Sequence, residues 1–210
     1  MPPATSDKLN LKALFAVLVG VSLASLDTSI ANTALPAFAA ALHATSAQSV
    51  WVINAFQLAV VASLLPLAAL GDRYGPRRVF LGGLTVFTAA SLACALSTSL
   101  LALTLARVVQ GMGAAGTMAV NIALIRQIFP ASQLGRGVGL NAMVVGTSFA
   151  LGPTVASLIL SVASWPWLFA INVPLGLAAL ALAVQGVPAA SGRNHGFDKL
   201  AAALTAVTFA

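Results

Sequence analysis

Residues 51–97 read WVINAFQLAVVASLLPLAALGDRYGPRRVFLGGLTVFTAASLACALS, and this stretch decides the fold class. Two long apolar segments, 51–71 and 79–97, flank a short turn that carries three arginines. A helix rises about 1.5 Å per residue, so each segment can cross the roughly 30 Å of a bilayer's hydrocarbon core. The stretch therefore predicts a helical hairpin that crosses a membrane twice and places its basic turn on one side.

The same alternation continues along the whole chain. Four further apolar segments have a comparable length: 13–34, 100–123, 138–161 and 166–186. Basic residues occupy every second gap, in this order: Lys8 and Lys12, then Arg73, Arg77 and Arg78, then Arg126 and Arg136, then Arg193 and Lys199. The linkers 35–50, 98–99 and 162–165 contain no Lys or Arg. Because basic loops stay in the cytoplasm, the pattern predicts six crossings of the cell (inner) membrane, with the N-terminus in the cytoplasm.

The predicted fold class is an all-α integral membrane protein with a six-helix transmembrane bundle. Residues 1–10 are polar and predict a disordered cytoplasmic N-terminus, and residues 11–186 form the bundle. Residues 187–197 predict a cytoplasmic linker, and 198–210 begin a further apolar run that is too short to span a bilayer. Either the chain is a fragment of a longer protein, or its last helix is vestigial. We favour the fragment, which makes a carboxy-terminal half the expected partner.

Composition excludes several classes of protein. Hydrophobic residues make up 60% of the chain and charged residues 7%, which leaves too few polar side chains to cover a soluble core. The formal net charge of +6 comes from short basic loops, which indicates contact with anionic lipid headgroups rather than with nucleic acid. The one cysteine, Cys94, and two isolated histidines predict neither a metal site nor a cofactor. The sequence also lacks a catalytic constellation, so we do not expect an enzyme.

Two ionisable residues lie inside predicted spans, Asp27 in the first and Arg107 in the fourth. Each is seven residues from the predicted outer end of its helix, which is about 10 Å at 1.5 Å per residue. The two helices run in opposite directions. The matched depth therefore favours a three-plus-three inverted repeat, an arrangement found in secondary transporters.

Both residues have a functional and a structural interpretation. A carboxylate in hydrocarbon is costly unless it is neutralised, hydrated or paired. Asp27 therefore either faces a water-filled cavity and binds a proton or cation, or it caps a helix break near Pro36 or bonds its hydroxyl-bearing neighbours. Arg107 stays charged. It can favour the ionised form of a nearby acid and polarise Gln110 one turn along, or it can form a buried ion pair that fixes the fourth helix against the first.

The basic turn has a distinctive order of residues: Gly71-Asp72-Arg73-Tyr74-Gly75-Pro76-Arg77-Arg78. Gly75 permits a tight turn, and Asp72 can cap a helix or bond a guanidinium. A cytoplasmic loop alone would explain the arginines, but the order resembles the loop signature of the major facilitator superfamily. Pro76 stands where that family often has a basic residue. The resemblance implies a role in conformational gating for these residues: Gly71, Asp72, Arg73, Gly75, Arg77 and Arg78.

Further segments resemble motifs of that family's proton-driven multidrug exporters, particularly the fourteen-helix branch. They are Leu26–Pro36 in the first span, Arg107–Gly113 in the fourth, Gly146, Gly152 and Pro153 in the fifth, and Trp165–Gly176 in the sixth. The fifth motif has Ala156 and Ser157 where the family prefers two glycines, and Pro166 replaces a usual arginine in the sixth. The resemblance covers about residues 20–178 and does not identify a substrate.

Glycines give the fifth predicted span a thin surface. We expect Gly139, Gly146, Gly152 and Pro153 to thin one face of this helix and to interrupt its hydrogen-bond ladder. Packing alone accounts for such a pattern. The resemblance suggests in addition that this face meets a helix of the missing half and closes a leak path.

The resemblance implies a secondary transporter that couples protons to the efflux of amphiphilic or cationic drug-like compounds. It assigns proton coupling and substrate contact to Asp27, Arg107 and Gln110. The missing half would then contain roughly six to eight helices. Two alternatives stay open: an importer of a small metabolite, and a truncated membrane protein that does not transport.

Overall fold

The computed structural model describes residues 10–187, and these are helical apart from short connections. The helices are α1 (Leu11–Thr33), α2 (Leu35–Ala41), α3 (Ser46–Tyr74), α4 (Pro76–Ala95), α5 (Leu100–Ala119), α6 (Asn121–Ile128), α7 (Leu134–Val162), α8 (Trp167–Ala170) and α9 (Asn172–Gly186). A 3-10 turn at Ala131–Gln133 precedes α7. The predicted polar tail before Asn10, the linker beyond Val187 and the start of a further helix lie outside the described residues.

Six helical stretches are long and apolar enough to cross a membrane: Leu11–Thr33, Ser46–Tyr74, Pro76–Ala95, Leu100–Ile128, Ala131–Val162 and Trp167–Gly186. They coincide with the six predicted segments, so the all-α membrane fold is confirmed. Two spans are interrupted. α5 and α6 form one span that breaks at Val120, and α8 and α9 form another that breaks at Ile171.

The predicted linker 35–50 is largely helical. α2 follows α1 after a break at Ala34, and a capping box starts α3 at Ser46. The Thr45 hydroxyl accepts the backbone N–H of Gln48 at 3.3 Å, and the Gln48 side chain accepts the backbone N–H of Thr45 at 3.0 Å. This reciprocal pair satisfies N–H groups that a helix start leaves unbonded. The helix therefore begins ahead of the apolar residues that mark the predicted segment.

The bundle is built around two enclosed helices. α5 packs between α3 and α4, and α1 packs between α7 and α9. The α4–α5 contact is a backbone approach, since a Cβ on Gly83 would lie 2.8 Å from the carbonyl oxygen of Gly113. Small residues allow such approaches between membrane helices.

Two hydrophobic clusters fill the interior, one towards each end of the bundle. Along α1, buried apolar residues from Ala13 to Ala24 belong to one cluster, and Ile30 belongs to the other together with Phe38 and Phe169. Asp27 lies between these clusters on α1. Its polar partners therefore lie at a level of the bundle between the two apolar clusters.

Candidate functional site

Asp27 is the centre of a buried polar network. Its side chain is 1% exposed and accepts hydrogen bonds from three side chains on two other spans. Arg107 Nη1 of α5 donates to Oδ2. Oδ1 accepts from Gln110 Nε2 at 2.9 Å and from Asn172 Nδ2 of α9 at 2.7 Å. Several donors to one carboxylate stabilise its charged form in an apolar interior.

Arg107 is fully enclosed and contacts three other spans. Its Nη1 atom also donates to Gln110 Oε1 at 2.7 Å, and its Nε atom donates to the carbonyl oxygen of Val52 in α3 at 3.3 Å. The guanidinium carbon lies 4.0 Å from the ring centroid of Phe56 and 5.6 Å from that of Phe169. Aromatic faces attract cations, most strongly where water is excluded. The rings thus add to the stabilisation that Asp27 gives the guanidinium.

Gln110 extends the network to α4. Its Nε2 atom donates to Ser91 Oγ at 2.9 Å, and the Ser91 hydroxyl donates to the carbonyl oxygen of Phe87 at 2.7 Å. The Cys94 thiol donates to Gln110 Oε1 at 3.4 Å. Every span except the one built from α7 therefore supplies a polar group or an aromatic ring to the site. A change in the charge of the Asp27 carboxylate would therefore alter its electrostatic interaction with groups on each of these spans.

Two buried polar atoms beside the carboxylate have no hydrogen-bond partner among residues 10–187: Arg107 Nη2 and Asn172 Oδ1. An unbonded buried polar group costs about 1–3 kcal/mol. One atom is a donor and the other an acceptor. The site therefore keeps hydrogen-bonding capacity of both kinds next to its ion pair.

The structure can be compared with the structural interpretations of Asp27 and Arg107. Their predicted match in depth is confirmed, because the two side chains form an ion pair. Asp27 does not bond its hydroxyl-bearing neighbours: the Thr28 hydroxyl donates to the Ala24 carbonyl, and the Ser29 hydroxyl donates to that of Phe149. The buried ion pair between the first and fourth spans is thus present, whereas capping near Pro36 is not.

Sequence reasoning missed Asn172 as a member of the site. The residue is fully buried and donates to the same carboxylate oxygen as Gln110. The Trp165–Gly176 motif contains it but assigned it no role, and its remaining signal is an amide within an apolar span, which Asn32 and Asn121 share. Asn32 is exposed, and Asn121 bonds Asn141 of α7 at 2.8 Å. The signal alone therefore does not identify the residue that reaches Asp27.

A backbone carbonyl freed by the proline inside α7 is bonded to the helix that carries Asp27. Pro153 has no N–H, so the carbonyl of Phe149, four residues earlier, loses its helical donor. The Ser29 hydroxyl of α1 replaces this donor at 2.7 Å. Gly152 makes the approach possible, because a Cβ there would lie 2.2 Å from Ser29 Oγ. This bond joins the proline-containing turn of α7 to a residue two positions from Asp27.

The prediction that the fifth-span glycines share one face is wrong. Gly152 packs on α1, whereas a Cβ on Gly139 or Gly146 would meet nothing within 4 Å. Helical residues are about 100° apart, so residues seven apart share a face and residues six apart lie about a third of a turn away. Gly139 and Gly146 therefore point away from the bundle, and Gly152 points into it.

The turn between α3 and α4 contacts two further spans, which contain Val120 and Val184. Gly75 has φ +92°, a conformation that favours glycine, and a Cβ on Gly71 would lie 2.5 Å from Val120. Arg77 Nη2 donates to the carbonyl of Val184 in α9 at 2.7 Å.

The structure places Asp72 in the last turn of α3. It is exposed, and within residues 10–187 it neither caps a helix nor pairs with a guanidinium. The N-cap of α4 is Gly75, and the ion pair within the described residues joins Asp27 to Arg107. Because α3 continues to Tyr74, Asp72 lies at a helix end rather than at a helix start. The glycines and Arg77 therefore have packing partners, whereas the acid faces outward.

The fold and the site together define a polytopic α-helical membrane protein with a buried carboxylate–guanidinium pair between its first and fourth spans. The chain belongs to the Major Facilitator Superfamily, whose family model matches residues 17–209.

Relatives in that family are substantially longer than this chain. The Uncharacterized transporter YebQ of Escherichia coli (strain K12) is 52% identical over 100% of this chain and 47% of its own length. The Tetracenomycin C resistance and export protein of Streptomyces glaucescens is 41% identical over 80% of this chain and 31% of its own length. A crystal structure of peptide transporter POT in complex with sulfate has a TM-score of 0.75 over 94% of this chain and 44% of that one, at 15% identity. The chain therefore spans about half or less of the proteins it matches.

Proposed function

We propose that this chain is the amino-terminal half of a secondary transporter that exchanges protons for amphiphilic or cationic drug-like compounds. The observation that carries the proposal is the buried Asp27 network. The chain has four acidic residues, and Asp27 is the one within an apolar span. Intramembrane acids commonly belong to ion or proton pathways. The export protein of Streptomyces glaucescens, 41% identical, supports the substrate class.

Asp27 is the proposed proton carrier. In the ionised form it neutralises Arg107, and the two charges hold α1 against α5. A proton on the carboxylate would remove that attraction and leave the arginine to Gln110, Val52 and the aromatic rings. A cationic substrate next to Asp27 would compete with the proton by charge. Because Asp27 is 1% exposed, either exchange requires the bundle to open.

A second half is the proposed partner. Four of the 29 residues of α7 are buried, and they are Gly137, Ser148, Gly152 and Ala156. The outward surface includes Gly139 and Gly146, whose missing side chains would let another helix approach. A carboxy-terminal half of roughly six to eight helices is expected to cover this surface and to complete a cavity between the two bundles.

The proposed location is the cell (inner) membrane, with the N-terminus and the basic turn in the cytoplasm. Labelling with a membrane-impermeant maleimide tests this orientation in a Cys94→Ser background. A cysteine at His43, in the turn after α2, should react from outside intact cells. A cysteine at Arg126, in the last turn of α6, should react after the cells are opened. Reaction of both from outside would contradict the orientation.

Transport is tested by ethidium efflux from liposomes with an imposed proton gradient. The protein to be reconstituted is a fusion of this chain with the carboxy-terminal part of the 52% identical relative. Asp27→Asn keeps the size of the side chain and removes its titration, so gradient-driven efflux should fall to the level of empty liposomes. Asp7→Asn removes an acid outside the apolar spans, so it is the matched control and should retain efflux. Wild-type efflux with Asp27→Asn would refute proton coupling.

The chain by itself forms the second arm of this experiment. We expect no flux, because the cavity would lack one wall. Flux above that of empty liposomes, lost in Asp27→Asn, would contradict the need for a second half. Uptake with the proton gradient instead of efflux would favour the importer, and no flux in either arm would favour a membrane protein that does not transport.

A further inference from the structure

A groove lies between α3 and α4, on the side of α5 opposite the charged network. Its volume is about 880 Å³, and Met112 and Gly116 of α5 line its floor. Residues in a helix are about 100° apart, so Gly116 points roughly 180° from Arg107. The side chain of Met112 is 49% exposed, so the groove opens outward from the bundle. It is separate from the site at Asp27.

The groove is about as long as one leaflet of a membrane is thick. Along α4 it runs from Arg78 to Val86, and along α3 from Tyr74 to Ala62. At 1.5 Å per residue these stretches are about 12 Å and 18 Å long. A bilayer's hydrocarbon core is about 30 Å thick, so one leaflet contributes about 15 Å. The length of the groove therefore matches one leaflet on the side of the basic turn.

The walls of the groove are mostly apolar, and the protein leaves the space between them unfilled. Pro66 and Leu70 of α3 and Val86 of α4 line it. Gly82 also lines it, and a Cβ there would meet nothing within 4 Å. Apolar walls at membrane depth favour a hydrocarbon chain over a polar ligand or water.

A positive charge stands at the mouth of the groove. Arg78 lines the mouth and is exposed. Its neighbours are engaged: Arg77 donates to the carbonyl of Val184 at 2.7 Å, and the Arg73 guanidinium lies 5.2 Å from the centroid of the Tyr74 ring. Among residues 10–187, Arg78 makes no ion pair and no hydrogen bond through its side chain. Its charge is therefore available to an anion at the membrane surface.

We propose that this groove binds an anionic phospholipid, with an acyl chain between α3 and α4 and the phosphate of its headgroup on Arg78. Basic pockets between membrane helices bind anionic headgroups, and a guanidinium can bond two phosphate oxygens at once. The groove is apolar, is one leaflet long and has a cation at its mouth. These features together favour a phospholipid over a second protein helix as its occupant. The proposal does not depend on transport.

Native mass spectrometry of the delipidated chain tests the site. The probes are dioleoylphosphatidylglycerol, which is anionic, and dioleoylphosphatidylcholine, which has no net charge. One basic residue near the membrane surface is expected to favour the anionic lipid about fivefold. Arg78→Gln should abolish that preference, and Gly82→Leu should fill the groove and reduce binding of both lipids. Arg126→Gln and Gly139→Leu are matched controls, because they alter an exposed arginine and an open glycine elsewhere.

Equal binding of the two lipids to the wild-type chain would overturn the role of Arg78, and this comparison needs no variant. Unchanged lipid binding in a folded Gly82→Leu chain would overturn the groove as the site, with folding checked by circular dichroism. Loss of a chain dimer in Gly82→Leu without loss of lipid would show that a second copy occupies the groove. Competition by glycerol 3-phosphate as strong as by the intact lipid would also contradict the proposal, because the acyl chain would then contribute nothing.

Discussion

The bond between Ser29 and the carbonyl that Pro153 leaves without a helical donor provides a sharp test of how α1 and α7 are joined. Ser29→Ala removes the hydroxyl that donates to the carbonyl of Phe149 at 2.7 Å. Pro153 cannot supply a replacement donor. A buried acceptor left unbonded costs about 1–3 kcal/mol, although hydrogen bonds between membrane helices average about 0.6 kcal/mol with a maximum near 1.7. We expect a loss of about 1–1.5 kcal/mol of unfolding free energy, towards the upper end of the membrane range.

Pro153→Ala changes the outcome of the same substitution. It returns an N–H four residues after Phe149, so the carbonyl regains a helical donor and Ser29 is no longer needed for this purpose. Ser29→Ala should therefore cost close to nothing in the Pro153→Ala background. The coupling free energy of this double-mutant cycle is expected to be about 1 kcal/mol.

The assay is equilibrium unfolding of the purified chain in mixed micelles, followed by circular dichroism. Ser22→Ala is the matched control, because the Ser22 hydroxyl also bonds α7, through Ser148 Oγ at 2.7 Å. Its cost should be the same whether residue 153 is proline or alanine. If Ser29→Ala costs equally in both backgrounds, the hydroxyl does not replace the missing amide and the reasoning fails.

Three further expectations use the same unfolding measurement. Gly83→Ala should destabilise the chain by about 1–3 kcal/mol through overpacking, because its Cβ would lie 2.8 Å from a backbone oxygen. Gly82→Ala should be neutral or stabilising, because a Cβ at this position would meet open space. Equal effects of the two variants would contradict the close α4–α5 approach. Gly71→Ala should destabilise through its 2.5 Å contact with a valine side chain, and an unchanged midpoint would show that this side chain moves aside. Asp27→Ala or Arg107→Ala alone should each cost about 3–5 kcal/mol, and the double variant should recover part of that loss. Strictly additive losses would argue against a mutual ion pair.

The sequence left a buried ion pair open as one of two interpretations of Asp27 and Arg107, and it gave their relative depth because depth in a membrane is a one-dimensional quantity. Counting residues from the helix ends placed Asp27 and Arg107 at the same level, and an unpaired charge at that level is costly enough to require a partner. Rotation about a helix axis is harder to predict. The side on which Asn172 lies depends on the break at Ile171, and a break in a helix changes the register that periodicity assumes. This is why an asparagine in the sixth span gave no sign that it reaches Asp27.

The fifth-span glycines and Asp72 illustrate the same limit. Residue spacing already separates Gly152 from Gly139 and Gly146 by about a third of a turn, but the abundance of glycine in this span suggested one shared surface. Asp72 follows Gly71 in an apparent turn, whereas α3 continues past both residues to Tyr74. A glycine in such a sequence can permit a turn or permit close packing. Gly71 permits close packing against Val120. Local sequence patterns cannot predict such a contact, because the two residues are distant in the chain.

The partners of Asp27 also constrain how the protein is made. The acid and Arg107 are 80 residues apart in sequence, and Asn172 is 145 residues from the acid. Synthesis proceeds from the N-terminus, so α1 enters the membrane three spans before the arginine exists. An acidic residue at the centre of an inserting helix costs about 2.5–3.5 kcal/mol, which the surrounding apolar residues can outweigh. The first span can therefore insert before its partner exists, and its acid meets a neutralising charge only when the fourth span arrives.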